Sequence, residues 1–146
     1  MTSPAGPEHA SRTRRSGYRY FFYAKHHATG PSRHAQWLPD LGREDEFSVF
    51  NIADEFNLSN SQGDLFGLLV RPSGSVEILG TRDEQVAEFP ATPRNQAWHG
   101  YPLWPIRRHD DAPRKSRPPA DALRKMEESG IIDEKQRSRL ARGKPI

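Results

Sequence analysis

Apolar positions are sparse along this chain and fall in short bursts. The strongest burst, Leu65–Gly80, reads LFGLLV-RPSGS-VEILG. Pro72 pre-sets φ for the first corner of a turn, and Gly74 can take positive φ where the chain swings back. The pattern predicts a β-hairpin, with a type I turn and a glycine bulge. A hairpin alone is marginal, so a further strand or a helix has to cover it. Gln85–Phe89 reads as a short strand with Val86 and Glu88 on one face and Ala87 and Phe89 on the other. Paired with Val76–Leu79 it gives a three-stranded meander.

Tyr18–Lys25, YRYFFYAK, is an aromatic strand that would add a fourth. Its alternation puts Tyr18, Tyr20 and Phe22 on one face and Arg19, Phe21 and Tyr23 on the other. Glu44–Leu58, EDEFSVFNIADEFNL, fits a helix better than a strand. Val49, Ile52, Ala53 and Phe56 would share a face, and the acidic first turn complements the helix dipole. In Pro90–Ile106, PATPRNQAWHGYPLWPI, four prolines forbid a long helix or a central strand, and its aromatics either close the open face of the sheet or form a binding rim.

Farther on, Pro119 opens a short helix with an apolar edge at Leu123 and Met126, and Gly130 stops it. Asp133 and Gln136 form a capping-box pattern for a second helix, with Leu140 and Ala141 facing inward. The stretch LRKMEESGIIDEKQRSRL resembles the short helical hairpins found at the C-terminus of many bacterial proteins. The resemblance covers about 20 residues and implies no function.

The predicted fold is α+β: a small antiparallel sheet of three to four strands, one packed helix and a C-terminal αα-hairpin. A disordered basic arm at 1–17 precedes a core at 18–106. A proline- and arginine-rich linker at 107–119 then leads to the helical hairpin at 120–146. Hydrophobic residues make up 34% of the chain, low enough to expect unpacked ends around the core.

There is no cysteine, which excludes disulfides, thiolate metal sites and cysteine nucleophiles and suits a cytoplasmic protein. Met1–Gly17 has no apolar stretch of the kind a secretory signal needs. No apolar run approaches the ~20 residues of a membrane span. No glycine-rich phosphate loop or nucleophile elbow is present, and no cofactor or metal is implied.

The net charge of +3 conceals a layout. Residues 1–36 carry six basic and one acidic side chain, residues 37–100 four and eleven, and residues 101–146 twelve and seven. An acidic middle between basic ends suggests three uses. The first is a non-enzymatic binding protein of the immunity or antitoxin kind. Glu44, Asp45, Glu46, Asp54 and Glu55 would face a basic protein partner beside an aromatic rim of Trp98, His99, Tyr101 and Trp104. The second is a nucleic-acid-binding module. It would use Arg19 and Lys25 on the aromatic strand, where rings stack bases, and Arg137, Arg139, Arg142 and Lys144 at the other end. The third is a small nuclease with His26, His34 and His99 as acid–base candidates.

Overall fold

A computed structural model describes residues 12–23, 26–27, 35–105 and 118–146. The first helix, α1 (Arg43–Glu55), begins with Glu44, Asp45 and Glu46 in its first turn, where the exposed N–H groups favour negative charge. It ends where Asn57 turns to a φ of 51° and Leu58 N–H bonds back to the Ala53 carbonyl at 2.9 Å. Its buried face is Glu46, Val49, Phe50, Ala53 and Asp54. The sequence placed Phe56 on that face, but Phe56 is 44% exposed. The apolar stripe is turned toward Phe50 because that ring, not Phe56, meets the aromatic residues of the neighbouring layer.

The sheet has three antiparallel strands in the order β1 (Leu65–Gly67), β2 (Val86–Phe89) and β3 (Tyr101–Trp104). Leu65 lies opposite Phe89, and Phe66 opposite Glu88. Glu88 in turn lies opposite Tyr101, Ala87 opposite Pro102 and Val86 opposite Trp104, with an irregularity between Val86 and Ala87. Pro102 is tolerated because β3 is an edge strand, where a missing N–H breaks no inner ladder.

The hairpin turn forms as expected: Gly74 has φ of 93°, Gly74 N–H bonds to the Arg71 carbonyl, and Val70 bridges Val76. The expected meander does not. β2 pairs with β1 instead of Val76–Leu79, whose end is held by Leu38 N–H on the Leu79 carbonyl at 2.8 Å. Short arms on both sides of the turn leave the ladder after Val70, so the longer strand β2 takes the Leu65 arm.

The two faces of the sheet carry separate cores. On one, Leu65, Ala87 and Phe89 pack with Tyr20, Trp37, Val49, Phe50, Ala53 and Trp98. Gly67 lets α1 come close: a Cβ there would sit 2.5 Å from the Val49 carbonyl oxygen and 2.9 Å from its side chain. On the other face, Phe66, Val86, Leu103 and Trp104 pack with Ala122, Leu123, Met126, Ile132 and Leu140.

Those last residues belong to α2 (Ala120–Glu128) and α3 (Glu134–Ala141). The capping box is present in both directions: Gln136 N–H donates to Asp133 Oδ1 at 2.7 Å, and Asp133 N–H to Gln136 Oε1 at 2.9 Å. Ala141 is exposed rather than inward-facing. The hairpin therefore shares a core with the sheet. Trp104 fastens it further, its indole N–H donating to the Leu140 carbonyl at 3.0 Å.

The expected N-terminal arm enters the described residues only at 12–17, and there the chain is a turn bonded to α1. Arg14 N–H donates to Asn51 Oδ1 at 2.9 Å, and Ser16 donates to Asp54 through both N–H (2.9 Å) and hydroxyl (2.6 Å). The linker at 107–119 lies almost wholly outside the described residues. No described helix is long and apolar enough to cross a membrane.

Candidate functional site

Residues 18–23 run extended across the α1 side of the molecule, as their alternation predicts, but as a single parallel bridge and not a fourth strand of the sheet. Tyr20 bridges Trp98. Phe21 N–H donates to the Trp98 carbonyl at 2.7 Å, and Trp98 N–H to the Arg19 carbonyl at 2.8 Å. The inward face sets Tyr20 5.0 Å from the Phe50 ring centroid and 5.8 Å from that of Phe89, with Tyr18 4.9 Å from Trp98. Tyr18 and Phe22 pack partly buried against the same cluster.

The outward face is about one third exposed at its two rings. Phe21 and Tyr23 are each 36% exposed, and their rings lie 5.8 Å apart. Arg19 lies on this face too, its guanidinium donating to the Asn95 carbonyl at 3.0 Å. That acceptor is neutral, and among the described residues no carboxylate pairs with the guanidinium. Arg12 bridges Arg19 from the preceding turn.

Beyond Tyr23 the ledge runs into imidazoles. Tyr23 meets His99 edge-on at 4.9 Å and His26 at 5.8 Å, and the two histidine rings are nearly parallel at 6.3 Å. His26 is 5% exposed and lies 5.1 Å from Tyr101. Its Nδ1 is 2.8 Å from the Ala35 carbonyl, so Nδ1 carries the proton there. The Tyr101 hydroxyl donates to Glu88 at 3.0 Å. Burial, and then the Glu88 charge, push the Tyr101 phenol above its ordinary value, and burial pushes Glu88 up.

The structure thus brings two of the three candidate histidines together. It also encloses His26, so that only His99 of the pair reaches solvent to any extent. His34 and Lys25 lie outside the described residues.

Of the two readings of the 90–106 aromatics, the tryptophans follow the one in which the rings close the sheet and not the rim. Trp98 is 4% exposed and Trp104 6%, and they belong to opposite faces of the sheet. Both are core because so polar a chain has few other large apolar side chains to fill two cores. Tyr101 and His99 are only partly buried.

The carboxylates of α1 are corrected in a similar way. Glu46 and Asp54 are each 2% exposed. Asp54 holds Ser16, Glu55 pairs with Arg14 at 3.1 Å, and Asp45 lies 3.4 Å from Arg71. Glu44 remains exposed. Most of the acidic helix therefore binds its own chain.

The C-terminal cations are also partly engaged. Arg137 pairs with Glu127, and Arg139 donates to the Pro145 carbonyl at 2.7 Å. Arg142 donates to the Ser138 carbonyl at 3.3 Å, and Lys144 is exposed.

One constellation was missed by the sequence reading. Glu46 accepts from the Tyr20 hydroxyl at 2.6 Å through Oε2 and faces His27 Nε2 at 2.7 Å through Oε1. Burial, and then the Glu46 charge, raise the Tyr20 phenol well above its ordinary value. The signal was available: Glu46, Val49, Phe50 and Ala53 recur at i, i+3, i+4 and i+7, which places the carboxylate on the buried stripe. Among the described residues, no group of three or more histidine and acidic side chains is placed to hold a metal ion.

Comparison with protein-family models, with curated proteins and with solved structures found no match to this chain.

Proposed function

We propose that the protein binds single-stranded nucleic acid on the ledge of Phe21 and Tyr23. The observation that carries this reading is an adjacent pair of exposed rings on a segment whose alternate side chains are locked in the core. Side chains anchored this way are pre-organised, so little entropy is lost when a base stacks on them. Arg19 shares the face of the two rings with no carboxylate paired to it among the described residues, and Arg12 bridges it from the preceding turn. Stacking surface plus positive charge is what a single strand needs, with bases on the rings and phosphates near the guanidinium groups. His99, edge-on to Tyr23, extends the ledge by a further ring. A nucleic-acid ligand also agrees with the cytoplasmic location that a cysteine-free sequence suggests.

Fluorescence anisotropy of a labelled single-stranded oligonucleotide tests this. Binding at low salt should weaken steeply as salt rises, because neutralised phosphates release counterions. Binding that ignores salt, or no binding at low salt, refutes the reading.

An immunity-like role against a basic partner protein is a weaker proposal. Of the acidic residues expected to serve it, Glu46 and Asp54 are enclosed, and Asp45 and Glu55 are paired with arginines of this chain. A partner would have to displace Arg14 and Arg71 to reach the last two.

A further inference from the structure

Both ring nitrogens of His27 face acceptors. Nε2 lies 2.7 Å from Glu46 Oε1, and Nδ1 lies 2.9 Å from the Tyr23 carbonyl oxygen. A neutral imidazole has one N–H and one lone pair, so it would set a lone pair against either the carboxylate or the carbonyl. The imidazolium alone donates to both. Glu46 is 2% exposed, with its second oxygen already bonded to Tyr20. A carboxylate so enclosed needs a cationic partner, and among the described residues His27 is the one paired with it.

We infer that His27 is held as an imidazolium and is the positioning residue of the ledge, so that the ledge is assembled or loosened by one proton. The link is direct. One donor grips the backbone of Tyr23, an exposed ring of the ledge, and the other grips Glu46 on α1. Glu46 also holds Tyr20, three residues before Tyr23. Loss of the proton forfeits one of these two grips.

Among the described residues, these charged and titratable groups face His27. Glu46 and Arg43 come from α1. The Tyr23 carbonyl comes from the aromatic segment, with Phe22 edge-on at 6.4 Å. Bonding to Glu46 raises the His27 pKa above its ordinary value, while burial and the Arg43 charge oppose it. Both bonds are therefore present together below the ordinary histidine pKa of ~6.5, and one of them is lost as pH rises through the raised folded value.

As a device for ligand control this rests on the nucleic-acid reading, but its test does not. In the full-length chain labelled with ¹⁵N, two-bond imidazole correlations should show both His27 nitrogens protonated at pH 6. Tyr23 resonances should move with the same midpoint as His27. Glu46→Gln should lower that midpoint. A neutral, single-tautomer His27 at pH 6, or Tyr23 resonances indifferent to its titration, overturns the inference without any variant or ligand.

Anisotropy with single-stranded oligouridylate is the second arm. Affinity should fall about fivefold or more across the His27 midpoint, the lower end of ordinary coupling between sites. The fall should persist in His99→Gln. Binding with no such fall also overturns the inference. Absence of binding at low salt overturns the nucleic-acid reading alone, and the resonance titration still decides the role of His27.

Discussion

The two faces of the sheet are covered by layers of different chemistry. The α1 side is built from rings: Tyr20, Trp37, Phe50, Phe89 and Trp98 fill it, with Tyr18, Phe22 and Phe47 at its margin. It also encloses ionisable groups, the Tyr20–Glu46–His27 chain. The hairpin side is mostly aliphatic, with Leu58, Leu68, Val86, Leu123, Met126, Ile132 and Leu140 around Phe66 and Trp104. Its polar fastenings are peripheral or neutral, such as Trp104 on Leu140 and the Gln85 side-chain amide paired with the Ile146 backbone. The difference has a consequence. Buried charge makes the α1 side sensitive to pH through His27 and Glu46, whereas the centre of the hairpin side is held by apolar packing, with the Glu88–Tyr101 pair at its margin. The proposed binding ledge lies on the sensitive side.

The largest effect should come from emptying the aromatic core. Phe50 touches Tyr18, Tyr20, Phe47, Phe89 and Trp98, so Phe50→Ala should cost about 3–5 kcal/mol in urea unfolding. Next comes Glu46→Ala, which strands the buried Tyr20 hydroxyl and should cost about 1–3 kcal/mol. It should also flatten the pH dependence of stability. In the wild type, His27 contributes stability that is complete below its unfolded pKa and lost as pH rises through its raised folded value. A decline that survives Glu46→Ala unchanged would place the titrating group elsewhere.

Smaller effects separate the tryptophans. The Trp104 indole N–H has a partner in the Leu140 carbonyl, so Trp104→Phe gives up a bond of about 1 kcal/mol besides volume. The Trp98 indole N–H is buried without a partner. Trp98→Phe removes an unsatisfied donor and should cost less than Trp104→Phe in the same thermal unfolding assay. The reverse order would mean that Trp98 finds a stronger acceptor than the surrounding rings. Loss of the α3 cap by Asp133→Ala should cost about 1 kcal/mol, on the hairpin side alone and without moving the His27 midpoint.

Local signals in the sequence were readable where the physics is local. The turn at Pro72–Gly74, the capping box of Asp133 and Gln136, the strand Val86–Phe89 and the two-faced alternation of Tyr18–Tyr23 all follow from neighbours a few residues apart. Strand partners were not readable, because nothing in Val76–Leu79 says that Leu65–Gly67 will win β2. Trp98 and Trp104 could be read either as rings closing the open face of the sheet or as a rim, and their burial follows the first reading. In so polar a chain a large ring is needed inside before it can be offered outside. The role of Glu46 was obscured by its acidic neighbours: Glu44 and Asp45 look the same in sequence, but only Glu46 points along the Phe50 stripe.

The account turns on the ledge. The direct measurement is the affinity of a single-stranded oligonucleotide for the double variant Phe21→Ser, Tyr23→Ser, whose two side chains lie outside the core. The ledge reading predicts an unchanged fold and binding weakened by ~1–3 kcal/mol for each stacked base lost. A folded double variant that binds as tightly as the wild type would contradict it.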